Sequence, residues 1–161
     1  FRLVFALQMP LLWLVCLPVQ LGQIADEPAS LGVVGYVGAV LALFGIIFES
    51  VGDWQLVRFQ KNPDNAGKVL DTGLWRYTRH PNYFGDACVW WGLWLVAAET
   101  TPGLFAVVGP IYLVYTLTRW SGMPTVEGRM RRRKPGYEDY VARTSPFIPW
   151  PPKPARPVEE G

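Results

Sequence analysis

Four apolar blocks, each close to the thickness of a bilayer, constrain this chain more than any other feature. Residues 3–21 hold only Gln8 and Gln20 as strongly polar side chains, and residues 31–48 hold none. Residues 83–98 carry one charge, Asp86, and residues 103–117 carry none. At about 1.5 Å of rise per residue, roughly 20 helical residues cross a ~30 Å hydrocarbon core. A soluble bundle needs amphipathic helices to cover its core, and four such blocks in 161 residues leave none for that task. The expected fold is therefore an all-α polytopic membrane bundle with four transmembrane helices. Composition agrees: 50% of residues are hydrophobic and 17% charged, against about 25% charged in soluble domains. A net charge of +2 excludes a nucleic-acid-binding domain held by a large basic excess. Cys16 and Cys88 sit in apolar runs, without CxxC spacing, and His80 is the single histidine, so neither a disulfide framework nor a structural metal site is expected.

The basic residues set the orientation. Residues 22–30 carry Asp26 and Glu27 but no Lys or Arg, and residues 99–102 have no basic residue either. Arg58, Lys61, Lys68, Arg76 and Arg79 lie between blocks two and three, and nine more follow block four. Fourteen of the 15 basic residues thus fall on one side, and Arg2 joins them at the start of block one. The positive-inside rule puts the middle loop and the C-terminus in the cytoplasm, as in a multi-pass protein of a bacterial inner membrane. Residues 1–149 are expected to form the bundle and residues 150–161 a proline-rich, disordered tail. A chain that starts at Phe1 is expected to be an N-terminally truncated piece.

The polar residues that survive in or beside these blocks are the functional candidates. Glu49 and Asp53 are four apart and share a helix face at the end of block two. Residues 71–86 read DTGLWRYTRHPNYFGD. Proline after His80 suits the first turn of a helix whose N-terminal N–H groups would face an anion. Arg76, Arg79 and His80 add cations, Tyr77, Tyr83 and Phe84 add rings for stacking, and Asn82 and Asp86 add groups for a ribose or a base. This combination suits an anionic, nucleotide-like cofactor; an interfacial aromatic belt with snorkelling arginines is the plainer alternative. Glu127, Arg129, Tyr137, Tyr140 and Arg143 form a second cluster, read as a lid or an amphipathic interfacial helix over residues 126–143.

Taken with Ser121-Gly122-Met123-Pro124 and Glu127, the runs at residues 49–56 (ESVGDWQL) and 73–86 (GLWRYTRHPNYFGD) resemble the bacterial branch of the steroid 5-alpha-reductase-like membrane proteins, and residues 136–144 (GYEDYVART) fit as well. The resemblance implies a bundle of about seven spans, a cytoplasm-facing NADPH cavity, and reduction of a carbon–carbon double bond next to a ketone in a lipid-like substrate. By motif match, Asp53, Tyr77, Asn82, Asp86, Arg119, Glu127 and Arg143 would line the cofactor site, with Lys61 near its phosphates. The reading of the residues adds Arg76, Arg79, His80 and Tyr137. Asp86 stands where the family carries glutamate, one methylene longer. The groups that polarise the substrate ketone would precede Phe1, so no catalytic acid is assigned within the chain.

Two rivals accompany this expectation. Isoprenylcysteine-type membrane methyltransferases share the Arg-His-Pro-x-Tyr-x-Gly pattern of residues 79–85 and use S-adenosylmethionine, but they follow it with a Glu-Glu pair where this chain has Glu127-Gly128. A non-catalytic membrane subunit would use the polar clusters for helix packing. Membrane lipids are expected partners, nucleic acid is not, and the sequence leaves the oligomeric state open. The orientation is directly testable. In a background without Cys16 and Cys88, Lys68→Cys should react with an impermeant maleimide only after the inner face is exposed; labelling from outside would overturn it.

Overall fold

The computed structural model describes residues 2–24 and 30–154, and every regular element among them is helical. In chain order these are α1 (Arg2–Val15), α2 (Leu17–Ile24), α3 (Val33–Lys61), α4 (Pro81–Ala97), α5 (Thr101–Leu104), α6 (Val108–Tyr115), α7 (Gly122–Arg133) and α8 (Tyr137–Arg143). The loop with Asp26 and Glu27 and residues 155–161 lie outside the described residues.

Among the described residues two helices, not the expected four, are long and apolar enough to cross a membrane: Val33–Lys61 and the near-continuous run Thr101–Arg133. Block one divides at Cys16 into helices of 14 and 8 residues. Pro18 has no N–H to donate to Leu14, so the ladder breaks there and resumes from Val19 and Gln20, both bonded to the Cys16 carbonyl. Block three forms a helix of 17 residues, opened by Pro81 and closed where Thr100 starts the next one. Thr100 caps α5 by accepting the Gly103 N–H at 3.0 Å. In the second long run, Pro110 leaves Ala106 without its usual donor, and residues 105–107 tighten into a 3₁₀ turn whose Ala106 carbonyl takes the Val108 N–H. Thr116 and Thr118 donate hydroxyls to the Tyr112 and Val114 carbonyls at 2.9 and 2.7 Å, and a π turn at Thr116–Trp120 follows.

The antiparallel α3–α4 pair is the spine of the fold. Gly38, Gly45 and Gly52 repeat every seven residues on α3, as do Gly85 and Gly92 on α4. A Cβ on Gly38 would reach within 2.5 Å of the Gly92 carbonyl, and one on Gly45 within 2.5 Å of the Gly85 carbonyl. The backbones are therefore in direct contact, with no side chain between them. A seven-residue repeat keeps that seam aligned as the two helices wind about each other. The outward face of α3 is the opposite: Val33, Val37, Val40, Leu43, Phe44, Ile47 and Val51 are all exposed.

Side chains tie the ends of this pair. Glu99 accepts the Gly32 and Gly35 N–H groups at 2.7 Å each, so a carboxylate sits on the positive end of α3. At the other end the loop into α4 closes on α3: Leu74 N–H donates to Gln55 Oε1 at 2.9 Å and the Trp75 indole to the Gly52 carbonyl at 3.0 Å. Gly73 adopts φ +62° there, and a Cβ would strike the Gln55 amide at 2.5 Å.

The single amphipathic helix expected over residues 126–143 is instead two helices. Pro135 and a left-handed Gly136 (φ +78°) separate α7 from α8, because proline cannot extend a helix and the reversal needs positive φ. After α8 the chain runs beside the loop before α4, with a parallel bridge between Thr78 and Ser145. Thr78 Oγ1 donates to the Phe147 carbonyl at 2.8 Å, Trp150 N–H to the Tyr77 carbonyl at 3.0 Å, and Lys153 N–H to the Arg143 carbonyl at 2.9 Å. The proline-rich segment is thus extended, as its composition requires, and is tied to the body as far as Lys153.

The glycine seam predicts a size limit. Gly45→Val should destabilise the protein by roughly 1–3 kcal/mol or more, because the new methyls meet a backbone carbonyl that cannot move aside. Gly128→Ala, with nothing within 4 Å of its Cβ, should be neutral or stabilise by up to about 1 kcal/mol. Thermal melts in detergent decide, and equal melting of the two variants would refute the seam.

Candidate functional site

Residues 78–81, immediately before and at the start of α4, are all buried. Arg79 and His80 are 9% and 3% exposed, so both must find partners or carry a large desolvation cost. Glu127 of α7 meets both. Its Oε1 lies 2.9 Å from Arg79 Nε and 3.1 Å from His80 Nε2. A carboxylate only accepts, so the proton on the imidazole is carried at Nε2. The other edge of the guanidinium closes α8: Arg79 Nη1 donates to the Val141 and Thr144 carbonyls at 3.1 and 2.7 Å, capping the helix C-terminus with a cation. One arginine therefore joins α7, α8 and the loop before α4.

A hollow of ≈ 210 Å³ lies beside this cluster, lined by Leu56, Phe59, Leu70, Val126 and Met130 and bounded by His80, Tyr137 and Tyr140. Tyr140 donates its hydroxyl to the Trp75 carbonyl at 2.6 Å. The Tyr137 phenol is pushed up to about 12, first by burial and then by the Glu127 charge. It is a neutral hydrogen-bonding group throughout the physiological range.

His80 also connects this buried cluster to an open face. Its ring stacks on Tyr83, with centroids 5.2 Å apart and planes 3° from parallel. Tyr83 is within electrostatic reach of Asp53, and Glu49 within reach of Asp53 and Asp86. Gly52 packs on Pro81 and the Asn82 backbone. The close α3–α4 contact thus gathers Glu49, Asp53, Asn82, Tyr83 and Asp86 onto one side of the pair. Asp53 is exposed and has no ion pair among the described residues. Arg58, five residues further on, instead lies over the Trp54 ring at 5.4 Å.

The remaining candidates lie elsewhere. Lys61 lines an open groove of ≈ 540 Å³ with Trp54, Arg58, Thr72 and Gly73. Arg76 and Arg143 line another cleft, where Arg143 Nη2 meets Asp71 Oδ2 at 3.3 Å. Arg119 is exposed on the π turn, and Tyr77 is 43% exposed. The structure therefore brings Arg79, His80, Glu127 and Tyr137 together, and Asp53, Asn82 and Asp86 together. It does not gather Arg76 and Arg79 around the start of α4, because the Arg79 guanidinium is spent on protein partners. Phe84, which the sequence offered for stacking, is partly buried and packs edge-on against Phe48 and Phe147 at 5.4 and 5.9 Å, so its ring is engaged by protein partners. No motif singles out Glu99, Asp71 or Lys153; only the heptad spacing of the glycines, visible in the sequence, announces the seam behind the open face.

The buried and exposed ion pairs predict very different costs. Glu127→Ala leaves Arg79 buried without its counter-charge and should cost about 3–5 kcal/mol. Glu138→Ala breaks the exposed Arg131–Glu138 pair and should cost less than about 1 kcal/mol. Denaturation of both variants measures the contrast, and similar costs would remove Glu127 from its place as the keystone.

Similarity to known proteins is limited and informative only at the level of family. The chain is 23% identical over 164 aligned positions to Uncharacterized protein C594.04c of Schizosaccharomyces pombe (strain 972 / ATCC 24843), covering 86% of this chain and 45% of that protein. The chain therefore spans less than half the length of this relative. No solved structure matches it. The family profile of DUF1295, described as a protein of unknown function, matches residues 1–144, and the chain belongs to that family.

Proposed function

We propose that this chain forms the cofactor-binding part of a multi-pass membrane reductase that uses NADPH to reduce a carbon–carbon double bond conjugated to a ketone in a lipid-like substrate. The observation that carries the reading is the open α3–α4 face, where Asp53, Asn82 and Asp86 stand together on a floor held by buried Arg79, His80 and Glu127. The resemblance assigned these residues to one cofactor, although Asp53 and Asn82 are far apart in the chain.

The donor set fits a reduced dinucleotide. Carboxylates accept from ribose hydroxyls and from a carboxamide NH₂, and Asn82 can both donate and accept. Lys61 and Arg119 are exposed cations that suit phosphate. When bound, NADPH would supply the hydride. The chain's own part is to hold and orient it: Asp53 and Asp86 bind, His80 buttresses Tyr83, and the Arg79–Glu127 pair fixes the loop that leads into α4. A substrate acid is not assigned within this chain.

The membrane reading rests on the two long apolar helices, of whose apolar windows only 22% is buried. Core helices of a soluble protein are buried, and these present their apolar surface outward. We include blocks one and three as spans. A helix of 17 residues is at the short end of what crosses a bilayer, and its flanking residues complete the width. The basic middle loop and tail would then face the cytoplasm.

The test is cofactor binding to the detergent-solubilised full-length protein. NADPH should bind, and Asp53→Asn should weaken it by about 1–3 kcal/mol while leaving the melting temperature unchanged. Micromolar binding of S-adenosylmethionine without any binding of NADPH would replace the reductase with a methyltransferase. Binding of neither would leave a non-catalytic membrane subunit.

A further inference from the structure

The cleft that holds Arg76 and Arg143 is not part of the open α3–α4 face. It has a volume of ≈ 430 Å³ and is lined by Asp71, Thr72, Arg76, Arg143, Thr144, Pro152, Lys153 and Pro154. Trp75 and Arg76 are neighbours on one 3₁₀ turn, and Tyr140 and Arg143 belong to α8. Trp75 and Tyr140 line the apolar hollow, joined by their 2.6 Å hydrogen bond, whereas Arg76 and Arg143 line the cleft. The same two elements thus separate an apolar cavity from a cationic one.

Among the described residues, three cations, Arg76, Arg143 and Lys153, line this cleft with one carboxylate, Asp71. Among the described residues Asp71 pairs with Arg143 alone, and at 3.3 Å that contact is long for a charge-assisted hydrogen bond. The surplus of positive charge matches a phosphate dianion. The site is also pre-shaped. The Lys153 backbone is held by the Arg143 carbonyl at 2.9 Å, and Pro151, Pro152 and Pro154 fix φ around it. Little ordering is left to be done when a ligand arrives, which favours affinity.

We infer that this cleft is a phosphate-binding site, distinct from the dinucleotide face, which takes a terminal phosphate or diphosphate group and is completed by the C-terminal strap through Lys153. Two sources share that chemistry: the headgroup of an anionic lipid such as phosphatidic acid, and a soluble phosphate ester. The sequence reading counted Arg76 and Arg143 among the cofactor residues, but no residue of the cleft lies on the α3–α4 face, so the inference does not rest on the reductase reading.

The experiment titrates two probes against the full-length protein at low salt: inorganic pyrophosphate in detergent, and phosphatidic acid in phosphatidylcholine nanodiscs. Saturable binding of either supports the site, and a response to the lipid probe alone identifies the headgroup as the source. Arg76→Gln and Lys153→Gln should each weaken the responding probe roughly tenfold, as expected for loss of one charged hydrogen bond. Both positions are exposed, so the melting temperature without ligand should not change. Asp53→Asn should leave the probe's affinity intact, which separates failure of this site from failure of the NADPH reading. Binding of neither probe, equal affinity in wild type and variants, or displacement of the probe by NADPH would each overturn a separate phosphate site.

Discussion

Direct backbone contact between α3 and α4 is the constraint on which the rest of the molecule depends. Glycine at every seventh position removes the side chains that normally keep helix axes 8–10 Å apart, so the pair is held by packing that does not require water to be expelled from between apolar side chains. That would suit the proposed membrane setting, where the hydrophobic effect does not favour helix association. The contact also sets the site. Because Gly52 admits Pro81 and the Asn82 backbone against α3, the carboxylate of Asp53 and the first turn of α4 share one surface. A bulkier seam would move those groups apart without touching any of them.

The second constraint is electrostatic. Arg79 is buried, and its guanidinium is satisfied on two edges by Glu127 and by the end of α8. Such a group stabilises less than its contacts suggest, because its own desolvation offsets much of the attraction. Its effect is to specify one arrangement of three segments that share no continuous helix. His80 extends that arrangement by giving one edge to Glu127 and one ring face to Tyr83. The buried cluster and the open face are therefore mechanically a single unit, and a change in α7 is felt at the start of α4.

Motif reading anticipated the start of α4 at Pro81 and the apolar character of the long helices. It assigned Arg76 and Arg79 alike to phosphate, since two arginines three apart in a loop look the same in a string of letters. Burial separates them. Arg79 turns inward to a carboxylate 48 residues later, and Arg76 stays outside. The reading of residues 126–143 as one helix failed for a local reason: the apolar period continues through Pro135-Gly136, but the backbone of that pair cannot.

The sequence by itself determined that the chain is helical, that it holds apolar helical runs of bilayer-like length, and which residue types are gathered before α4. These follow from local rules of periodicity, proline and glycine chemistry, and charge, all of which act over a few residues. Only the tertiary structure decided which of those residues share a surface. Whether an arginine is a ligand-binding cation or a buried helix cap depends on groups brought from α7 and α8, and the hollow and the cationic cleft exist only because Trp75 and Tyr140 meet between them. Unlike the glycine seam, these contacts rest on single side chains from distant segments, which leave no periodic trace in the sequence.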